Sequence, residues 1–333
     1  MLRKGIAVLM LLPVALPAAE ARAEDPAALR AAVQKAIAVL LKQSPQFVKR
    51  GGCNSCHAQF LPAVAQALAR ARGIPAGADI VQLPPEASEM PSDRVYEMAG
   101  VGGGANSMGY LLFAEAALKK PADERIQAIV HFLRASQATD GRWQTVGNRP
   151  PLTYDDFTTT ALTIYALQAY TPESQRAETD KSVGRSLSWL LEATPQSTVE
   201  RAFHLAGLGW AKGPRAAIDK AARGLLAEQH PDGGWSQLPA MSSDAYATGL
   251  ALYALRQNGQ VTTSEPYRRG IQYLLQTQAS DGSWHVKTRS LPVQPYFDSG
   301  FPYGDDQWIS AAGTSWAAMA LALAVEPVKL SRR

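Results

Sequence analysis

The chain has two cysteines, three positions apart, with a histidine directly behind them: Cys53-Asn-Ser-Cys56-His57, within the stretch "GGCNSCHAQF". At this spacing two thiolates can add to the two vinyl groups of a haem, and the adjacent imidazole then reaches the iron. The spacing predicts a covalent haem c on Cys53, Cys56 and His57, with His57 as an iron ligand. Other readings use the same residues. A Cys-x-x-Cys pair is also the unit of a redox-active disulfide. It is half of a zinc site too, although no second cysteine pair exists to complete one. Chance spacing with no chemistry is the remaining alternative.

The start of the chain bears on that choice. Residues 1–23, "MLRKGIAVLMLLPVALPAAEARA", combine a basic start, an apolar stretch and the small-residue pattern Ala21-Arg22-Ala23. This is the pattern of a cleaved export signal. The apolar run is short for a spanning helix, and nothing later reaches the roughly 20 apolar residues that a span needs. The expectation is a periplasmic or secreted protein with no transmembrane segment after cleavage, in the compartment where bacterial haem c attachment takes place. The formal charge is +4. Arg3, Lys4 and Arg22 against Glu20 account for two of those charges, so the remainder carries +2. That surplus is too small to indicate nucleic acid or an anionic membrane. Hydrophobic residues make up 46% and charged residues 19% of the 333 positions, a globular profile.

Elements flanking the motif must present it. "DPAALRAAVQKAIAVLLKQSPQFVKR" precedes it and "LPAVAQALARARG" follows, both with helical patterning. This segment resembles the start of a c-type cytochrome, and the resemblance covers little else. It implies a second axial ligand, often Met, some tens of residues downstream. Met90, followed by Pro91, is the first candidate, then Met98 and Met108. Met108 also reads as core in an apolar helix, and a vacant or histidine-filled sixth position stays open.

Beyond residue 100 the sequence becomes repetitive. "QATDGRW", "QHPDGGW" and "QASDGSW" share Gln-x-x-Asp-Gly-x-Trp, and their tryptophans, Trp143, Trp235 and Trp284, are 92 and 49 positions apart. The first interval holds two repeats, one degenerate near "SLSWLLEATPQS". Between the motifs run helices rich in small residues and apolar on more than one face, such as "YDDFTTTALTIYALQAY" and "SDAYATGLALYAL". Helices of that kind are buried all round. Alternating with amphipathic ones, they predict an all-α toroid of helical hairpins with an inner and an outer ring. The repeats resemble the QW repeats of squalene–hopene cyclases, and the hairpin pattern resembles the (α/α) toroid shared with protein prenyltransferases. The resemblance runs from about Ala105 to Val328 and implies a fold, not a chemistry.

The family's chemistry is incomplete here. Triterpene cyclases protonate their substrate from Asp-x-Asp-Asp, whereas Thr153-Tyr154-Asp155-Asp156 lacks the first acid. The Asp, Cys and His zinc site of prenyltransferases has no free cysteine, and no Cys-Gly-Glu-Gln thioester stretch is present. Asp156, Glu200, Asp244 and Asp306 each begin a predicted inner helix, with Thr160, His204, Thr248 and Ser310 one turn further in. They are expected to ring one mouth of the toroid as candidate catalytic groups, His204 being the best single acid/base or ligand. Helix capping accounts for each acid equally well. Residues 285–304, "HVKTRSLPVQPYFDSGFPYG", are long for a connection. They read either as a lid or pocket wall carrying Arg289, Gln294, Tyr296, Phe297 and Tyr303, or as a rigid strap.

The expected organisation is therefore a signal peptide at 1–23, a helical segment with the haem c site and a Pro/Gly-rich linker at 24–100, and an (α/α) toroid at 101–328 that folds independently, the alternative being that the N-terminal helices close the ring as an additional hairpin. The expected role is haem-linked electron transfer serving a cavity ligand or a redox partner protein. The alternatives are a cyclase- or lyase-like toroid enzyme, or a toroid that binds a lipid, glycan or protein without haem.

Overall fold

The computed structural model describes residues 25–51, 55–77, 92–97, 103–259, 263–292 and 294–326. The expected signal peptide, Cys53, Met90 and Met98 lie outside the described residues. Among these residues the chain is all-helical, with only an isolated bridge between Arg149 and Thr153.

In chain order the helices are α1 (Pro26–Gly51), a π-helical turn (Cys56–Phe60), α2 (Leu61–Ala71), α3 (Ser92–Tyr96), α4 (Gly104–Ala117), α5 (Glu124–Ala135), α6 (Asp156–Tyr170), α7 (Arg176–Glu192), α8 (Thr198–Trp210), α9 (Arg215–Ala227), α10 (Ala245–Gln257), α11 (Glu265–Thr277) and α12 (Gln307–Ala324). Burial sorts them into two rings. In α4 every residue from Ala105 to Glu115 that carries a core side chain is buried except Ser107, and in α12 burial runs almost unbroken from Ile309 to Leu323. By contrast, α11 buries only Tyr267, Gly270, Ile271 and Leu274, the i, i+3, i+4, i+7 stripe of a helix with one wet face. The inner helices α2, α4, α6, α8, α10 and α12 each pack on the next, and α12 packs on α2, so the ring closes. Helices α1, α5, α7, α9 and α11 lie outside it, each against the inner ring.

Small residues set the inner-ring spacing. A Cβ on Gly249 of α10 would lie 2.5 Å from the Ala317 nitrogen of α12, so these backbones touch where only hydrogen fits. Toward the C-terminal ends of the inner helices, Phe113, Tyr165, Trp210, Tyr253 and Trp316 fill the centre of the ring with ring centroids 4.9–6.5 Å apart. The opposite end, where the inner helices begin, stays open.

The Gln-x-x-Asp-Gly-x-Trp motif joins neighbouring hairpins in the same way each time. The Trp143, Trp235 and Trp284 indoles are buried and donate to the carbonyls of Leu133, Leu225 and Leu274 at the end of the preceding outer helix. Their backbone N–H groups donate to the hydroxyls of Thr160, Thr248 and Thr314 on the next inner helix. The Gln137, Gln229 and Gln278 amides donate to their own glycine carbonyls and to Ser182, Pro266 and Ala32 on the next outer helix. Glycine is required because φ is 95° at Gly141, 89° at Gly233 and 95° at Gly282. A Cβ there would also strike the backbone of Arg185, Arg269 or Lys35.

The third tie changes the expected organisation. Gln278 and Gly282 meet Ala32 and Lys35 of α1, so α1 takes the place of the next outer helix and α2 is the inner helix of the same hairpin. Arg72 adds a 2.7 Å bond to the Val325 carbonyl at the end of α12. The segment read as a separate haem-bearing unit thus closes the ring, and the Pro/Gly-rich composition after residue 73 does not mark a break in packing. The physical reason is the unpaired apolar faces that α12 and α4 would otherwise expose. A chain beginning near Gly102 is accordingly expected to lose its cooperative thermal transition and to sediment as aggregate, whereas one beginning near Asp25 melts as a single unit. Circular dichroism melts and sedimentation velocity of the two chains distinguish these outcomes.

Candidate functional site

The haem motif is built by local capping. The Ser55 hydroxyl accepts from the Ala58 N–H at 2.9 Å, and the Gln59 side chain reaches back to the Ser55 N–H at 2.8 Å. Buried Gln59 also donates to the Ser44 carbonyl of α1. These bonds fix the π-helical turn Cys56–Phe60 against the end of α1, and with it the direction of His57. The imidazole lies edge-on to Phe47 of α1, centroids 5.1 Å apart, and stacks on Trp308 of α12 at 5.8 Å.

His57 Nε2 is buried and, among the described residues, has no hydrogen-bond partner. Leaving such a nitrogen unpaired is costly, and it calls for an occupant. Burial lowers the His57 pKa to about 3, and the nearby Arg149 charge adds to the effect, so the ring is neutral and its lone pair free. Burial pushes the Cys56 thiol up to about 12.

Cys56 and His57 lie in the wall of a cavity of about 400 Å³ at the open end of the ring. Ser107 of α4, Arg149 to Thr153 of the loop before α6, and Gln307 to Ile309 of α12 form other parts of the wall. Thr288, Ser290, Leu291, Pro292, Gln294 and Tyr296 complete it from the long connection. Of that connection's residues expected in a pocket wall, Gln294 and Tyr296 line the cavity, whereas Arg289, Phe297 and Tyr303 do not. The connection's ends are pinned: Ser299 receives the Gln43 amide, Gln307 bonds the Ser299 N–H and the Phe297 carbonyl, and Arg50 pairs with Asp298. Its middle walls the cavity. Phe297 packs on Phe47 and Trp308 behind His57, Tyr303 stacks on His285, and Arg289 bonds Gln237 and lies over the Tyr154 ring.

The donor set suits a haem c: a thiol and a neutral imidazole with an orphaned Nε2, on one cavity wall. Cys53, the other thiol of the motif, lies outside the described residues, as do Met90 and Met98. Met108 is a buried core residue of α4 that is not part of the cavity wall.

None of Asp156, Glu200, His204, Asp244 and Asp306 lines this cavity. Their side chains are occupied in fastening helix starts. Asp156 accepts from the Thr145 N–H and pairs with Arg142. Glu200 completes a capping box with Ser197. Asp244 caps α10 through the Ala247 N–H and receives the Gln237 amide. Asp306 accepts from the Thr288 N–H and from His285. Thr160 and Thr248, expected in the same mouth, hold the motif tryptophans, and Ser310 receives the Val286 N–H.

His204 has an equally specific place. Its Nε2 lies 2.7 Å from the Leu190 carbonyl, the position equivalent to Leu133, Leu225 and Leu274, whose carbonyls take a tryptophan indole. In the degenerate repeat His204 supplies the missing donor. Sequence reasoning put His204 forward as an acid/base group because the lost tryptophan, not the histidine, was the informative signal.

Asp155, one residue before the first candidate acid, is buried and caps α6, with both carboxylate oxygens bonded to Thr158. Burial raises its pKa to about 6, and burial does the same to Asp244.

A family profile described as the squalene-hopene cyclase C-terminal domain matches residues 197–303. Lanosterol synthase erg7A of Aspergillus fumigatus is 33% identical over 116 residues, 34% of this chain and 14% of that protein. Drimenyl diphosphate synthase of Streptomyces showdoensis is 35% identical over 78 residues, 23% of this chain and again 14% of the relative. The matched region therefore spans about one seventh of those relatives. The type II terpene cyclase MstE of Scytonema, in a variant bound to geranylgeranyl dihydroxybenzoate, superposes with a TM-score of 0.54 at 17% identity, covering 90% of this chain and 98% of that one. A possible member of the GH105 family from Salmonella enterica superposes with a TM-score of 0.56 at 12% identity, covering 94% and 98%. The chain is a terpene cyclase-like (α/α) toroid. Among the described residues no helix is long and apolar enough to cross a membrane.

Two outcomes follow from the fastening roles. His204→Ala leaves the Leu190 carbonyl without its donor and is expected to cost about 1–3 kcal/mol in urea unfolding, with no change in the cavity's spectroscopic properties. Asp244 binds protons more readily folded than unfolded, so its contribution to stability falls as pH rises from about 4 to 6. Asp244→Asn keeps a capping oxygen and lacks that titration, so its melting temperature relative to the parent should rise between pH 4 and pH 7.5.

Proposed function

We propose that the cavity at the open end of the ring holds a haem c bound through Cys53, Cys56 and His57, and that the exported protein carries electrons between this haem and a ligand or redox protein at the cavity mouth. The observation that carries the reading is the buried, unpartnered Nε2 of His57 beside Cys56 in the cavity wall. When bound, a haem supplies a one-electron couple. The chain's own residues do the rest. Capping by Ser55 and Gln59 orients the imidazole. Phe47 and Trp308 hold it from two sides and exclude water behind it. The long connection limits access from solvent.

The test is covalent attachment. Co-expressed with a haem c maturation system and exported, the protein should keep its haem through a denaturing gel, and Cys53→Ala with Cys56→Ala should abolish the peroxidase-active band. A matured parent chain without that band ends the proposal. Met90 remains the proposed sixth ligand. Met90→Ala should then remove the weak red charge-transfer band of the oxidised protein, and an unchanged band removes Met90 from the scheme.

A second reading is favoured by a different observation and by the comparisons. The relatives and structural neighbours include terpene cyclases, and the cyclase acid motif has its Asp-Asp part here as Asp155-Asp156, with Asp155 buried and its pKa raised to about 6. In that reading the toroid is a cyclase-like enzyme acting on a prenylated substrate, with Asp155 as proton donor. Incubation of the purified chain with prenyl diphosphates and prenylated phenols, alongside Asp155→Asn, examines it. Cyclised product lost in the variant supports this reading, and no product from any of them counts against it.

A further inference from the structure

The cavity wall has one cationic side chain, Arg149. It sits in the connection before α6, where the Arg149 and Thr153 backbones exchange two hydrogen bonds of 2.8 and 3.0 Å. The loop is also braced from within: Thr145 Oγ1 donates to the Asp155 carbonyl at 2.6 Å. A pinned backbone thus presents an exposed guanidinium at the rim. Among the described residues that guanidinium makes no side-chain hydrogen bond and no ion pair. Elsewhere Arg142 pairs with Asp156, Arg50 with Asp298, and Arg289 with Gln237 and the Tyr154 ring.

The rest of the wall is graded. Pro150, Leu152, Leu291, Pro292, Trp308 and Ile309 give it an apolar part. Ser107, Thr153, Thr288 and Ser290 add hydroxyls, and Asp305 is its one carboxylate. An apolar body with one acidic edge fits such a wall in a single sense, with its acid beside Arg149 and away from Asp305.

We propose that Arg149 is a carboxylate clamp that positions the cavity's occupant, and that under the haem reading its counterpart is a haem propionate. This rests on the proposed function for the identity of the occupant and adds to it the residue that sets the occupant's orientation. Arg149 acts by charge and by the planar fork of its donors, which match a carboxylate in two bonds. It forms and breaks no covalent bond.

The experiment uses the full exported chain carrying Cys53→Ala and Cys56→Ala, so that porphyrin binding is reversible and read by absorbance. It is titrated with hemin and with hemin dimethyl ester, whose acids are masked, in backgrounds of Arg149, Arg149→Leu and Arg149→Lys. Arg149→Leu is expected to weaken hemin binding about tenfold, as for a charge-assisted hydrogen bond, and to leave the diester unchanged. Arg149→Lys should restore part of the loss. Because Arg149 is exposed, these variants should melt with the parent.

Equal affinities for hemin in all three backgrounds overturn the clamp and leave the haem proposal standing. A loss of the same size for hemin and diester also overturns it, since the arginine would then act through shape. If neither porphyrin binds and the parent with intact cysteines carries no covalent haem, the proposed function fails and the clamp falls with it.

Discussion

Three junctions between hairpins of this ring are each tied by one glutamine, and the rest of the structure depends on those ties. The glutamine amide spans two carbonyls, one from its own loop and one from the neighbouring outer helix. The glycine four residues later lets the loop turn with φ near 90° and lie directly on the neighbouring backbone. A single such bond is worth only about 1 kcal/mol net. Its larger effect is geometric, because it sets the rotation from one hairpin to the next, and a ring closes only if these rotations sum to a full turn. The last tie is made to α1, at the other end of the chain, so closure links residues some 246 positions apart.

Closure divides the interior into two ends with different properties. The end where the inner helices finish is filled by aromatic rings from α4, α6, α8, α10 and α12. The end where they begin cannot be filled in this way, since the chain enters each inner helix there through a loop. Those loops leave a cavity and supply its wall. The π-helical turn that carries Cys56 and His57 enters at this end because α2 is an inner helix and the turn directly precedes it. The Cys-x-x-Cys-His turn placed before α2 thus opens on a part of the ring that has room for a ligand.

The same fold serves proteins described as terpene cyclases and a possible member of a glycosidase family. In this chain the polar groups at the helix starts mostly fasten the helices. A carboxylate whose two oxygens already accept from N–H donors has little left for a substrate, and Asp244 is in that position. Among the described residues, the buried polar atoms without partners include His57 Nε2 and Trp308 Nε1, both in the cavity wall. Unspent hydrogen-bonding capacity in a place water reaches poorly is a better guide to a site than the presence of acids.

The local elements were legible in the amino-acid sequence because they depend on neighbours along the chain. Spacing alone identified the two kinds of helix, the repeated Gln-x-x-Asp-Gly-x-Trp loops with one degenerate copy, and the Cys-x-x-Cys-His unit. The use of each polar side chain was not legible, since capping a helix and lining a mouth call for the same residue types at the same positions. Glu200 and Asp156 show this: only the position of Ser197, Thr145 and Arg142 around them decides the matter. The role of α1 was hidden for a related reason. A Pro- and Gly-rich stretch separates it from the repeats in sequence, but the faces it covers belong to α12 and to the turn around Gly282. Ring closure is a condition on the whole chain, with no signature in any window of it, and only the folded structure brings the two ends together.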